Sequence, residues 1–117
     1  MATKTRAEMI SWVLENIGIK AATVTARDED STKAGRAIDA LFERHRKDGL
    51  APYATSAFPE WAQQPFVDLA SRDLLPIYRI GGEMAKLIMA AAERGQMELH
   101  KQVAGVKHPR RVTATYY

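Results

Sequence analysis

The chain has 117 residues with 17 Lys and Arg against 14 Asp and Glu, and it contains no cysteine. That length fits one domain able to bury about two-thirds of its unfolded surface, and the missing thiols exclude a disulfide framework, a thiolate metal site and a cysteine nucleophile. No apolar run approaches the roughly eighteen residues of a membrane span, and Met1 to Arg6 lack the charged-then-apolar order of a signal peptide, so a soluble intracellular protein with no membrane partner is expected.

The first periodic segment is Thr3 to Ile17, where Ile10, Val13, Leu14 and Ile17 share one helical face. Thr5 and Glu8 have capping-box spacing, and Gly18 followed by Ile19 predicts a left-handed stop with its apolar contact. After a connection over 20–27, the acids of "DEDS" suit the positive end of a second helix, predicted from about Asp30 to Asp48. Its stripe is Ala34, Ile38, Leu41, Phe42 and His45, its last turn carries Arg44, Arg46 and Lys47, and Gly49 ends it.

The loop "LAPYATSAFPE" leads to a third helix, for which Pro59 is a suitable first residue because its missing N–H would be unpaired there anyway. Pro65 either kinks this helix or begins it, while Ala62, Phe66, Leu69 and Ala70 form one face and Pro76 marks the end. A fourth and longest helix is predicted from about Gly82 to Ala104, with Met84, Leu87, Ile88, Ala91, Gly95 and Leu99 as its buried stripe and Gly105 as its stop. There are no internal repeats. The pattern predicts an all-α fold, a small four-helix bundle over residues 1–104, with an extended C-terminal tail over 105–117.

The tail differs from the rest in charge as well as in pattern. It holds Lys107, Arg110 and Arg111 and no acid, so the whole excess of positive charge lies there and the body is balanced. Val106, Val112, Thr113, Thr115, Tyr116 and Tyr117 are residue types that favour strands and that disordered ends lack. Thirteen extended residues reach on the order of 40 Å. Alternation would set Arg111, Thr113 and Thr115 against Val112, Ala114 and Tyr116, as in a strand added to the edge of a partner's sheet. The same residues could instead hold nucleic acid, the cations on phosphates and the tyrosines on bases.

Catalytic patterns are missing. His45, His100 and His108 have no zinc-site spacing, Glu98 and His100 fall on different faces of the fourth helix, and no nucleophile elbow, dinucleotide fingerprint or phosphate loop is present. The acids at 28–30 already have a structural purpose. About ten residues separate the first two helices, too many for the three- or four-residue turn of a helix-turn-helix. No enzyme activity and no cofactor are expected.

The segments "TKTRAEMISWVLENIGI", "GRAIDALFERHRKDGL", "LASRDLLPIY" and "AAERGQMELHKQVAG", the last followed by a basic tail with a proline, together resemble the head-to-tail adaptor proteins of tailed bacteriophages, also called head-completion or packaged-DNA-stabilisation proteins, of the short-tailed type. The resemblance covers nearly the whole chain. It implies a helical domain, assembled in the host cytoplasm into a ring of about twelve copies in the virion neck. There it would lie under the portal, extend the DNA channel, retain the packaged DNA and offer a platform to the tail nozzle or next tail component. The portal-binding residues it implies are Val106, Lys107, His108, Pro109, Arg110, Arg111, Val112, Thr113, Ala114, Thr115, Tyr116 and Tyr117. Trp12, on a side of the first helix away from its stripe, and Trp61, near the start of the third, are candidates for contacts between neighbouring copies and equally for peripheral core packing.

Overall fold

A computed structural model describes residues 3–107, with side chains through residue 103. The architecture is all-α, with α1 (Arg6–Asn16), α2 (Asp28–Lys47), α3 (Glu60–Leu74) and α4 (Gly82–Lys107). Thr5 caps α1 through the expected box: the Glu8 N–H donates to Thr5 Oγ1 at 3.2 Å, and the Thr5 N–H donates to Glu8 Oε1 at 2.8 Å. Gly18 has φ +79°, and behind it the Ile19 N–H returns to the Leu14 carbonyl at 2.9 Å. Gly49, with φ +76°, closes α2 in the same way, the Leu50 N–H reaching the His45 carbonyl at 2.7 Å. Both are Schellman closures, which use glycine because a Cβ is disfavoured at positive φ.

Helix α2 starts two residues before the expected Asp30, so Asp28, Glu29 and Asp30 all sit within its first turn, where unpaired N–H groups favour negative charge. Helix α3 starts at Glu60 with Pro59 as its N-cap, and it runs through Pro65 instead of beginning there. A proline interrupts one backbone bond, and the packing of the following face compensates: Phe66, Val67, Leu69, Ala70 and Leu74 are all fully buried. Opposite Pro65 lies Gly95 of α4, where a Cβ would come within 3.1 Å of the Pro65 Cα and carbonyl oxygen. The two backbones meet closely there because neither residue places a bulky side chain between them.

Helix α3 is the common partner of the other three, and α1 and α2 also pack on each other. The core lies between α1, α2 and α3, with Met9, Val13, Leu14, Ala34, Ile38 and Leu41 meeting Ala62 and Phe66. An aromatic cluster closes one end. Phe58 and Phe66 stand 4.9 Å apart by ring centroids, with Phe42, Tyr53 and Trp61 around them. Phe58 is held by a two-bond antiparallel bridge to Lys4, at 2.8 and 3.1 Å, which ties the start of the chain to the entry of α3.

Helix α4 departs from expectation in two ways. Its buried stripe is Ile88, Ala92, Gly95, Leu99 and Val103, whereas Met84 and Leu87 are 39% and 68% exposed and Ala91 is half-buried. The helix also continues through Gly105 to Lys107, so Gly105 is not its stop, and Gly105, Val106 and Lys107 are helical rather than extended. The rest of the expected tail, residues 108–117, lies outside the described residues.

Candidate functional site

The residues expected to bind a partner through the tail divide at Lys107. Val106 and Lys107 belong to the last turn of α4, and His108, Pro109, Arg110, Arg111, Val112, Thr113, Ala114, Thr115, Tyr116 and Tyr117 lie outside the described residues. The root of the basic segment is therefore the far end of a 26-residue helix, about 39 Å long at 1.5 Å per residue. This helix packs on α3 along one stripe and leaves the remainder of its surface open.

Four of the large exposed apolar side chains are on α4: Met84, Leu87, Met89 and Met97, the last 72% exposed. Small single domains expose scattered apolar residues routinely, but here two of them adjoin a built feature. Asn16, Asp68, Met84, Leu87, Ile88 and Ala91 line a groove of about 230 Å³ where the end of α1 meets α3 and α4. One wall is fixed by a relay that runs from the surface inward, in which Asn16 Nδ2 donates to Ser71 Oγ at 2.8 Å and Ser71 Oγ, which is buried, donates to the Val67 carbonyl at 2.7 Å. Asp68 is half-buried and accepts one hydrogen bond, from Gln64 Nε2 at 3.0 Å. Burial pushes its carboxyl above the usual carboxylate range, against the opposing influence of Gln64 and of the Arg94 charge. No Lys or Arg among the described residues forms an ion pair with it; the ion pairs they make all use other acids.

A second exposed feature is the turn between α3 and α4. The Ile80 N–H bonds the Leu75 carbonyl at 2.9 Å and the Arg79 N–H faces the Pro76 carbonyl at 3.4 Å, the same closure that ends α1 and α2. The left-handed position is filled by Arg79, with φ +53°, where the other two closures have glycine. An arginine at such a φ costs about 1–2 kcal/mol. Its side chain is exposed and forms no hydrogen bond or ion pair with the described residues, and Ile77 beside it is 50% exposed. The turn is anchored toward α2: the Tyr78 hydroxyl donates to Asp30 Oδ1 at 2.8 Å, and Lys33 Nζ lies 5.2 Å from the Tyr78 ring centre.

The histidines and the two tryptophans stand in different surroundings. His45 is buried edge-on to Phe66, with ring centroids 5.9 Å apart and its Nδ1 without a hydrogen-bond partner, and burial lowers its pKa below the ordinary imidazole value. His100 is exposed and bonded to Gln96. Among the described residues no group of three His, Asp or Glu side chains is placed to hold a metal ion, and no helix is long and apolar enough to cross a membrane. Trp12 and Trp61 are both half-buried, Trp12 under Lys4 Nζ at 5.6 Å from the ring centre and Trp61 edge-on to Tyr53 at 5.8 Å.

Neither Asp68 nor Arg79 carries a sequence signal. Asp68 sits among ordinary helix residues, and the closing motif around Arg79 is disguised because its diagnostic glycine is absent. Searches against protein-family profiles, curated proteins and solved structures find no match to the chain.

Proposed function

We propose that the chain is a structural adaptor of a tailed-phage virion, a head-to-tail connector that forms a ring beneath the portal and anchors there through residues 106–117. Such a ring would extend the DNA channel, help retain the packaged DNA and present a platform to the next tail component. No catalytic role belongs to it. The observation that carries this reading is α4, a long helix seated on a single neighbour, with exposed apolar side chains along it and the chain's entire excess of positive charge at and beyond its end. A weak anchor repeated around a ring becomes a strong joint attachment, which suits a short segment with three cations.

The test is the native mass of the portal ring encoded by the same genome, measured with the full chain and with a chain ending at Lys107, which leaves α4 whole. Many copies of the full chain on the portal, and none of the shortened one, are expected. Equal addition of both would remove the anchor role. If neither binds the portal and the full chain instead binds DNA with a steep salt dependence, a small nucleic-acid-binding protein is the better description.

A further inference from the structure

The groove at Asp68 and the turn at Arg79 each lack what the other supplies. The groove offers two exposed apolar side chains, Met84 and Leu87, around a half-buried carboxylate that lies within the influence of the Arg94 charge but forms no ion pair among the described residues. The turn offers an exposed apolar side chain, Ile77, beside an exposed guanidinium with no partner among the described residues. They face different neighbours within the molecule, for the turn is tied to the start of α2 through Tyr78 and Asp30, whereas the groove opens at the end of α1 beside Asn16.

We propose that these are the two halves of a contact between copies of this chain, the Ile77–Arg79 turn of one copy seating in the Asp68 groove of the next, with guanidinium on carboxylate. The contact joins unlike patches, so each copy added leaves a fresh turn and a fresh groove exposed, and the assembly grows head to tail until it closes or is blocked. It also gives a reason for retaining the left-handed arginine. Glycine would relieve the backbone but remove the charge, and strain of this kind persists where a side chain has work to do. A half-buried carboxylate among apolar neighbours suits a guanidinium, which is weakly hydrated and forms paired hydrogen bonds to both oxygens. The inference rests on the adaptor reading only in supposing that many copies work side by side; the contact itself needs no portal.

The absence of native cysteine permits a direct test. The full chain with Asp68→Cys and Arg79→Cys together, concentrated and mildly oxidised without portal, is expected to give a ladder of disulfide-linked trimers and larger species. Either single variant can link only like to like and gives dimers at most. A second pair, Ile77→Cys with Leu87→Cys, guards against a perturbation of α3 by the change at Asp68. In the Ile77/Leu87 pair, adding Arg79→Glu is expected to cut the ladder about tenfold or more by placing like charges together, and adding Asp68→Lys to that chain to restore it. Absence of a ladder from both pairs overturns the proposal, as does abundant dimer from either single variant, which would mean a symmetric contact. A ladder from a chain that no portal captures would leave this contact standing and remove the adaptor reading. Capture by the portal without 68–79 or 77–87 links would do the reverse.

Discussion

Replacing Gly95 with alanine sets two effects of opposite sign against each other. In a free helix the change favours folding by about 1 kcal/mol. At the crossing with α3, however, the added methyl would stand 3.1 Å from both the Cα and the carbonyl oxygen of Pro65. Carbon atoms pack comfortably at about 3.5–4.0 Å, and the crowding atoms are backbone of a helix whose other residues, Phe66, Val67, Leu69 and Ala70, are fully buried. Relief requires α4 to lift or slide, which loosens Ile88, Ala92 and Leu99 against α3. Overpacking of this kind costs about 1–3 kcal/mol. The net expectation is a loss of about 1 kcal/mol, a fall in Tm of about 3–6 °C, measured by urea and thermal unfolding followed by circular dichroism. Ala90→Gly, on the exposed face of α4, supplies the local value of the helix preference for comparison. If Gly95→Ala instead raises stability by about that full preference, Pro65 and Gly95 do not form a close crossing and the packing of α4 on α3 must be sought elsewhere along the two helices.

Gly35→Ala in α2 is expected to behave oppositely. Its Cβ would meet Arg6 Nη2 at 2.7 Å, but that is the free end of a flexible side chain, and displacing it disturbs only an exposed pair with Asp39; unchanged or higher stability by up to about 1 kcal/mol follows from the helix preference. His45 has a depressed pKa when folded, so the unfolded chain binds its proton first as the pH falls, and stability should be fully present above the ordinary imidazole pKa of about 6.5 and decline below it. The urea midpoint should therefore drop between pH 7.5 and 5.5, by a margin that shrinks in His45→Phe; an identical drop in both chains would assign the acid sensitivity elsewhere. Arg79→Gly should raise the unfolding free energy by about 1 kcal/mol by relieving the left-handed backbone, while weakening head-to-tail association; a variant that is less stable would show that the arginine has a partner within its own chain.

Most helix boundaries were legible where a single residue carries the signal. Thr5 with Glu8 and the two glycines at 18 and 49 act through local backbone chemistry and stand where the pattern predicts, while Pro59, expected as the first helical residue, is the N-cap one position outside. The stripe of α4 was harder to read because periodicity measures relative angle and not which arc faces a neighbour. Met84, Leu87 and Ala91 continue the apolar arc to one side of Ile88, and only the packing on α3 reveals that Ala92 and Val103 complete the buried side. Gly105 misled for a related reason: a glycine is permitted in a left-handed stop but is also tolerated inside a helix at about 1 kcal/mol. Phe58 and Tyr53 belong to a loop, where no period exists to mark them, and long-range contacts with Phe42 and Phe66 place them in the aromatic cluster. The groove at Asp68 draws on α1, α3 and α4 together, so no single segment of sequence announces it.

The placement of α3 also governs how the molecule can come apart. Three helices share it and α4 rests on no other helix, so losing α3 would release α4 altogether and leave α1 and α2 only their contact with each other. Because the seat of α4 on α3 is the most extensive helix contact among the described residues, the α4 amides lying over α3 should exchange with solvent slowly, and those of α3 slowest of all. A neighbour gripping the groove would clamp α4 to α3 from outside. Assembly would then slow exchange most at the start of α4, around Met84 and Leu87, where the groove lies.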